Sequence, residues 1–168
     1  MTSLRRTAVV LCLALASMSG LAACGDDKQI SSADRAAFDD FAQGARQWRH
    51  SGTDPWYAAF KQGGSAVQAE APKAEAQMQA AVNKMSSAAK KVSNDKVRVP
   101  LQRLAATYKA KLKTIRQIDA STGSISQMTF GLGQLTAEGK ATLAAWKAYV
   151  KAAKAEWNAN PLGGLKVG

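Results

Sequence analysis

Between Ile125 and Trp157 one stripe of apolar and small residues runs through Ile125, Met128, Leu132, Leu135, Gly139, Leu143, Trp146, Val150, Ala153 and Trp157. Steps of three and four, held over ten positions, put these residues on one side of a helix and exclude a strand, whose period is two. Their mean is close to the repeat of about 3.5 residues found where helices pack nearly parallel along a seam. So long a stripe needs partners of similar length, which makes a helical bundle the expected architecture. Ser124 with Gln127 three residues later carries a capping-box signature for the start of this helix, and Asn-Ala-Asn-Pro at 158–161 stops it. Gly139 lies on the stripe, where a missing side chain lets a neighbouring helix approach.

The rest of the chain reads the same way. Ser31 or Ser32 supplies an N-cap, with Ile30 before it as a hydrophobic staple, and the stripe runs Ala37 or Phe38, Phe41, Ala45, Trp48. His-Ser-Gly-Thr-Asp-Pro-Trp at 50–56 is expected to break this helix, with Asp54-Pro55 restarting the next as N-cap and first-turn proline. A second stripe, Trp56, Phe60, Val67, Ala71, Ala74, Met78, Val82, Met85, Ala89 and Val92, stays in phase across Pro72. That points to one helix kinked near Pro72, the alternative being a fresh start with Pro72 in the first turn. Ser-Asn-Asp-Lys at 93–96 is a tight reversal, and Leu101, Leu104, Tyr108, Leu112, Ile115 and Ile118 mark a third helix. Short connections make successive helices antiparallel neighbours. The expected fold is therefore all-α, an up-down-up-down four-helix bundle with helices over about 31–50, 55–92, 96–120 and 124–158 and a loose tail at 159–168.

The N-terminus places this domain. Arg5 and Arg6 precede an apolar run from Ala8 to Ala16, too short for the roughly 20 residues of a spanning helix. A turn-prone Ser17–Gly20 and small residues follow, the layout of a secretory signal. Leu21-Ala22-Ala23-Cys24 then resembles the lipobox of bacterial lipoproteins. The resemblance covers about residues 1–25. It implies removal of residues 1–23, a diacylglyceryl group on the Cys24 thiol, a short tether over 24–30, and a protein held on the extracytoplasmic face of the cell membrane. Cys12 leaves with the signal, so Cys24 is the single cysteine of the mature chain and no internal disulfide can form. A two-chain anchor gives stable attachment where one acyl chain does not. The 168-residue chain less 23 leaves 145, the size of one ordinary domain.

Charge narrows the partners. The formal net charge is +11. Between Lys84 and Arg116 ten basic residues face one acid, Asp95. Lys90, Lys91, Lys96, Arg98, Arg103, Lys109, Lys111, Lys113 and Arg116 form the candidate surface for polyanions. The Lys90–Arg103 reversal is expected at the Cys24 end, near anionic headgroups, and Lys109–Arg116 would face wall polymers such as teichoic-type chains, or DNA. Trp48, Trp56, Tyr57 and Phe60 converge on the first helix connection, either as a cap on the core or as the mouth of a small hydrophobic-ligand site between the first two helices.

Catalytic inventory is thin. One histidine, His50, and no Glu-x-x-His leave no di-metal carboxylate site of the bundle type. No serine sits in a Gly-x-Ser-x-Gly turn, and Phe-Gly-Leu-Gly-Gln-Leu at 130–135 lacks the third glycine and the preceding strand of a nucleotide loop. No cofactor or metal is expected. The sequence points to a membrane-anchored, non-catalytic binding or scaffolding module of the envelope, with polyanion binding and ligand carriage as the alternatives.

Overall fold

The computed structural model describes residues 29–121 and 124–165; Cys24 and the expected signal segment lie outside them. Every regular element among the described residues is helical: α1 (Ser32–Gln47), a π-helical segment (Trp48–Thr53), α2 (Asp54–Gln62), α3 (Gly64–Lys91), α4 (Asp95–Ala120) and α5 (Ile125–Trp157). No helix among the described residues is long and apolar enough to cross a membrane.

Helix α1 starts where its cap predicts. The Ser31 hydroxyl accepts from the Asp34 amide at 3.0 Å, satisfying one of the amides a helix start leaves open. Asp34 is itself buried, and its carboxylate accepts from the Ser93 amide and the Ser93 hydroxyl, each at 2.7 Å. Burial raises this carboxyl, but the Ser93 and Ser31 hydrogen bonds outweigh it and leave it below the usual carboxylate range. The start of α1 is thereby tied to the α3–α4 turn, where Asn94 caps α4 through the Lys96 amide at 3.0 Å.

The expected break at 50–56 is not a break. The chain passes from α1 through one π-helical stretch into α2, and Asp54 lies in a helical first turn without capping it. Its carboxylate pairs instead with His50, at 3.3 Å, and with Arg49, at 4.0 Å. The reversal comes at Gly63, whose φ of 89° only glycine adopts readily. Pro72 is neither the boundary nor the start of a helix. It lies inside α3, on the exposed side between the buried Ala71 and Ala74.

The core is continuous, from Phe38 and Phe41 on α1 through Met78, Val82 and Met85 on α3 to Leu101, Leu104 and Leu112 on α4. Helix α3 packs against α1, the π segment, α2 and α4, and α5 packs against α4. Among the described residues α1 and α5 make no close backbone approach. Phe38 spans the gap with its ring, 5.6 Å edge-on from Trp157 and 6.2 Å from Tyr149.

The seam of α5 is rotated from the one its periodicity predicts. Gly131, Thr142, Tyr149 and Ala153 are buried, whereas Leu132 and Leu143 are 38% and 45% exposed. The close approach to α4 is at Gly131, where a Cβ would fall 2.4 Å from Ile118 Cγ1; Gly139 faces open space. The Ser124–Gln127 capping box does not form, since Ser124 makes no side-chain cap bond. The tail is not loose throughout: Leu162 is buried in the core, in a turn over 161–164.

Removing the Asp34 carboxylate severs the α1 tie. Asp34→Ala is expected to cost about 2–4 kcal/mol in denaturant unfolding at pH 7. Because this carboxyl is held low, its contribution is present above pH 4 and fades as pH falls through its native value. The wild type should therefore lose more stability than Asp34→Asn on acidification below pH 4.

Candidate functional site

Three of the four aromatic residues singled out from the sequence share one cavity. Trp48 from the π segment and Trp56 and Tyr57 from α2 form one wall, with Thr53 and Asp54 at its edge; Lys111 and Ile115 from α4 and Leu135 from α5 complete it. Its volume is about 260 Å³. Phe60 does not line it but stacks on Trp56, with ring centroids 5.2 Å apart and planes at 23°. The site lies between the π–α2 stretch and the α4–α5 pair, not between the first two helices as the sequence led one to expect.

Each wall residue is fixed by an identifiable contact. Trp48 is buried and meets Tyr108 edge-on at 5.3 Å. The Trp56 indole donates to both carboxylate oxygens of Asp119, at 2.8 and 2.9 Å, which pins α2 to the end of α4. Burial raises the Asp119 carboxyl, the Trp56 hydrogen bond opposes this, and neighbouring Glu75 pushes it up further, to about 6. Glu75 in turn accepts from Arg116 Nε at 3.1 Å. Tyr57 is half exposed and carries Lys61 Nζ over its ring, 4.5 Å from the centroid.

The floor holds the unexpected group. Lys111 is 9% exposed, yet it makes no hydrogen bond or ion pair with any described residue. Its Nζ lies 5.6 Å from the centroid of the Tyr108 ring. Burial lowers its amine from the ordinary lysine value, partly offset by the field of Glu138. Glu138 does not close on it: Oε1 accepts from the Thr114 hydroxyl at 2.7 Å, and Oε2 is buried without a partner. The same burial pushes the Tyr108 phenol up to about 12.

The basic surface is less uniform than the sequence implies. Lys111 turns inward. Lys91 pairs with Asp40 at 3.3 Å, Lys96 with Glu156 at 3.0 Å, Arg98 with Asp95, and Arg116 with Glu75. Lys90, Arg103, Lys109 and Lys113 remain exposed and pair with no acid among the described residues. Cys24 lies outside the described residues. A larger cavity of about 530 Å³ flanks the α4–α5 connection, but its walls are mainly serine and glutamine with Ile118 and Phe130 and carry no charge.

Sequence reasoning missed Asp119 and Glu138 and assigned Lys111 to the outer basic surface, whereas it is largely buried and lines the cavity. The signal for Lys111 was present, since Leu104, Tyr108, Lys111, Ile115 and Ile118 also run in steps of four and three and put the lysine on the core side. Comparison with protein-family models, curated proteins and solved structures gives no match, so the chemistry of the site is read from its own geometry.

Two outcomes follow from these groups. A carboxyl whose native value is raised binds its proton more tightly folded than unfolded, so stability falls as pH rises from about 4 to 6 and then levels. Trp56 emission should titrate with a midpoint near 6 and lose that transition in Asp119→Asn. Lys111→Met replaces a largely buried lysine that pairs with no acid among the described residues, so thermal unfolding should show stability unchanged within about 1 kcal/mol or increased.

Proposed function

We propose that this chain is a lipid-anchored, extracytoplasmic helical module that works by binding rather than catalysis, and that its working site is the aromatic cavity between the π–α2 stretch and the α4–α5 pair. The single observation that carries this is the convergence of Trp48, Trp56 and Tyr57 on one cavity whose floor is an unpaired buried lysine. Apolar walls with a few convergent polar groups are the usual make-up of a small-molecule site. The helix order, with short connections throughout, supports an up-down-up-down arrangement in which α1 with the π segment and α2, then α3, α4 and α5, alternate in direction. The lipobox-like Leu21-Ala22-Ala23-Cys24 supports anchoring through a diacylglyceryl Cys24. In this reading the cavity opens to the space outside the membrane, where it takes a small apolar or aromatic molecule.

A second reading, binding of anionic headgroups or wall polymers, is favoured by one specific feature. Arg103, Lys109 and Lys113 stand unpaired on the exposed side of α4. Such binding would weaken steeply with salt as counterions are released. The two readings separate cleanly by mutation.

Small aromatic probes added to the full-length protein should shift tryptophan emission saturably. Leu135→Trp, which fills the cavity, should abolish binding, and an Arg103, Lys109 and Lys113 triple change to glutamine should leave it intact. Saturable binding unaffected by Leu135→Trp, or no binding at all, rejects the cavity as the working site. Retention on anionic wall polymer that is lost in the triple variant would favour the second reading. Cys24→Ser should move the protein from the membrane fraction to the soluble fraction, and palmitate labelling should disappear with it.

A further inference from the structure

We propose that the cavity selects small aromatic or apolar carboxylates, with the ligand's carboxylate held by the Lys111 ammonium and its ring against Trp48, Trp56 and Tyr57. This deepens the reading of the cavity as the working site and rests on it.

A lysine ammonium carries three donors, and holding it on a largely buried side chain is costly unless something supplies acceptors. Lys111 is nine-tenths buried, lines the cavity, and has no hydrogen-bond or ion-pair partner among the described residues. No acid among the described residues closes on it. Glu138 gives Oε1 to Thr114 and has Oε2 shut away from solvent. Asp54 at the rim is held by His50 and Arg49. Asp119 receives the Trp56 indole on both oxygens. Lys111 lines the cavity, and an anionic oxygen arriving at its ammonium makes a charge-assisted hydrogen bond.

The walls set the rest of the ligand. Flat indole and phenol rings, with Ile115 and Leu135 opposite, suit a planar or apolar body. About 260 Å³ is below the range of about 300–1,000 Å³ typical of drug-sized sites, so a single ring or a short chain fits. Lys111 is the one cation among the lining residues, and the one lining acid, Asp54, is paired with His50 and Arg49 at the edge. A phosphate dianion would leave a charge uncompensated, a cationic ligand would meet Lys111 directly, and a neutral ligand would leave the ammonium without an ionic partner. An aromatic monocarboxylate satisfies both the floor and the walls.

The test compares three isosteric probes on the full-length protein by calorimetry at pH 7: phenylacetate, phenylacetamide and phenethylamine. Phenylacetate is expected to bind at least tenfold more tightly than the amide, with the amine weakest. Lys111→Met should erase the preference of acid over amide while still binding the amide, and Leu135→Trp should lose all three probes. Equal or tighter binding of the amide or the amine by the wild type overturns the carboxylate assignment and leaves the cavity reading standing. So does a preference for phenylacetate that survives in Lys111→Met. Absence of binding by every probe overturns both. The wild-type comparison decides the assignment without any variant having to fold.

Discussion

Among the described residues α5 makes close backbone approaches to α4 and to no other helix, and this one-sided packing shapes the rest of the molecule. Gly131 makes it possible by letting the backbone of α5 settle against Ile118. A closed bundle would press α5 onto α1 as well. Here Phe38 bridges them, reaching Tyr149 and Trp157 with its ring. The consequence is an opening whose walls come from the π segment and α2 on one side and from α4 and α5 on the other. The π-helical stretch matters because it carries the chain from α1 into α2 without a loop and delivers Trp48 and Tyr57 to the same cavity. The Trp56–Asp119 hydrogen bonds then hold α2 down on α4.

Within that opening the energetics run against simple stability. A hydrophobic residue at 111 would match its neighbours Tyr108, Leu112 and Ile115 on α4, all of them buried. A lysine there loses solvation and gains only a distant ring and the field of a carboxylate that never reaches it. Functional sites commonly carry this kind of local cost, because a group preorganised for a ligand is not free to satisfy itself. The same contrast separates the two lysine populations. Exposed lysines on α3 and α4 are solvated or loosely paired, and surface pairs of that kind contribute at most about 1 kcal/mol. The largely buried one keeps its ammonium at the cavity with no acid paired to it among the described residues.

The helices were legible in the sequence because their signals are local. Ser31 capping α1, the reversal at 93–94 and the stop after Trp157 all depend on neighbouring residues, and all are where periodicity and turn chemistry put them. The failures share a physical reason too. The stretch 50–56 carries the marks of a break, but it sits against α3, and packing there kept it helical; the turn moved to Gly63, which takes a positive φ. The face of α5 could not be read from α5 alone. Its apolar residues cover more than one side, and which side is buried depends on Gly131 meeting Ile118 across the chain. The aromatic cluster was visible as a group, yet its partners Lys111, Ile115 and Leu135 come from helices far along the chain. A block of basic residues looked like one surface, and only the fold separates the inward lysine from the outward ones.

The most direct measurement is an NMR titration of the Lys111 side-chain amine in the full-length protein, assigned by its loss in Lys111→Met. The account predicts that this amine titrates below the ordinary lysine value and that its resonance moves saturably when a small aromatic carboxylate is added. An amine that titrates with the surface lysines and ignores the carboxylate would mean that Lys111 reaches solvent, and the cavity would then be a gap in the packing with no ligand to hold.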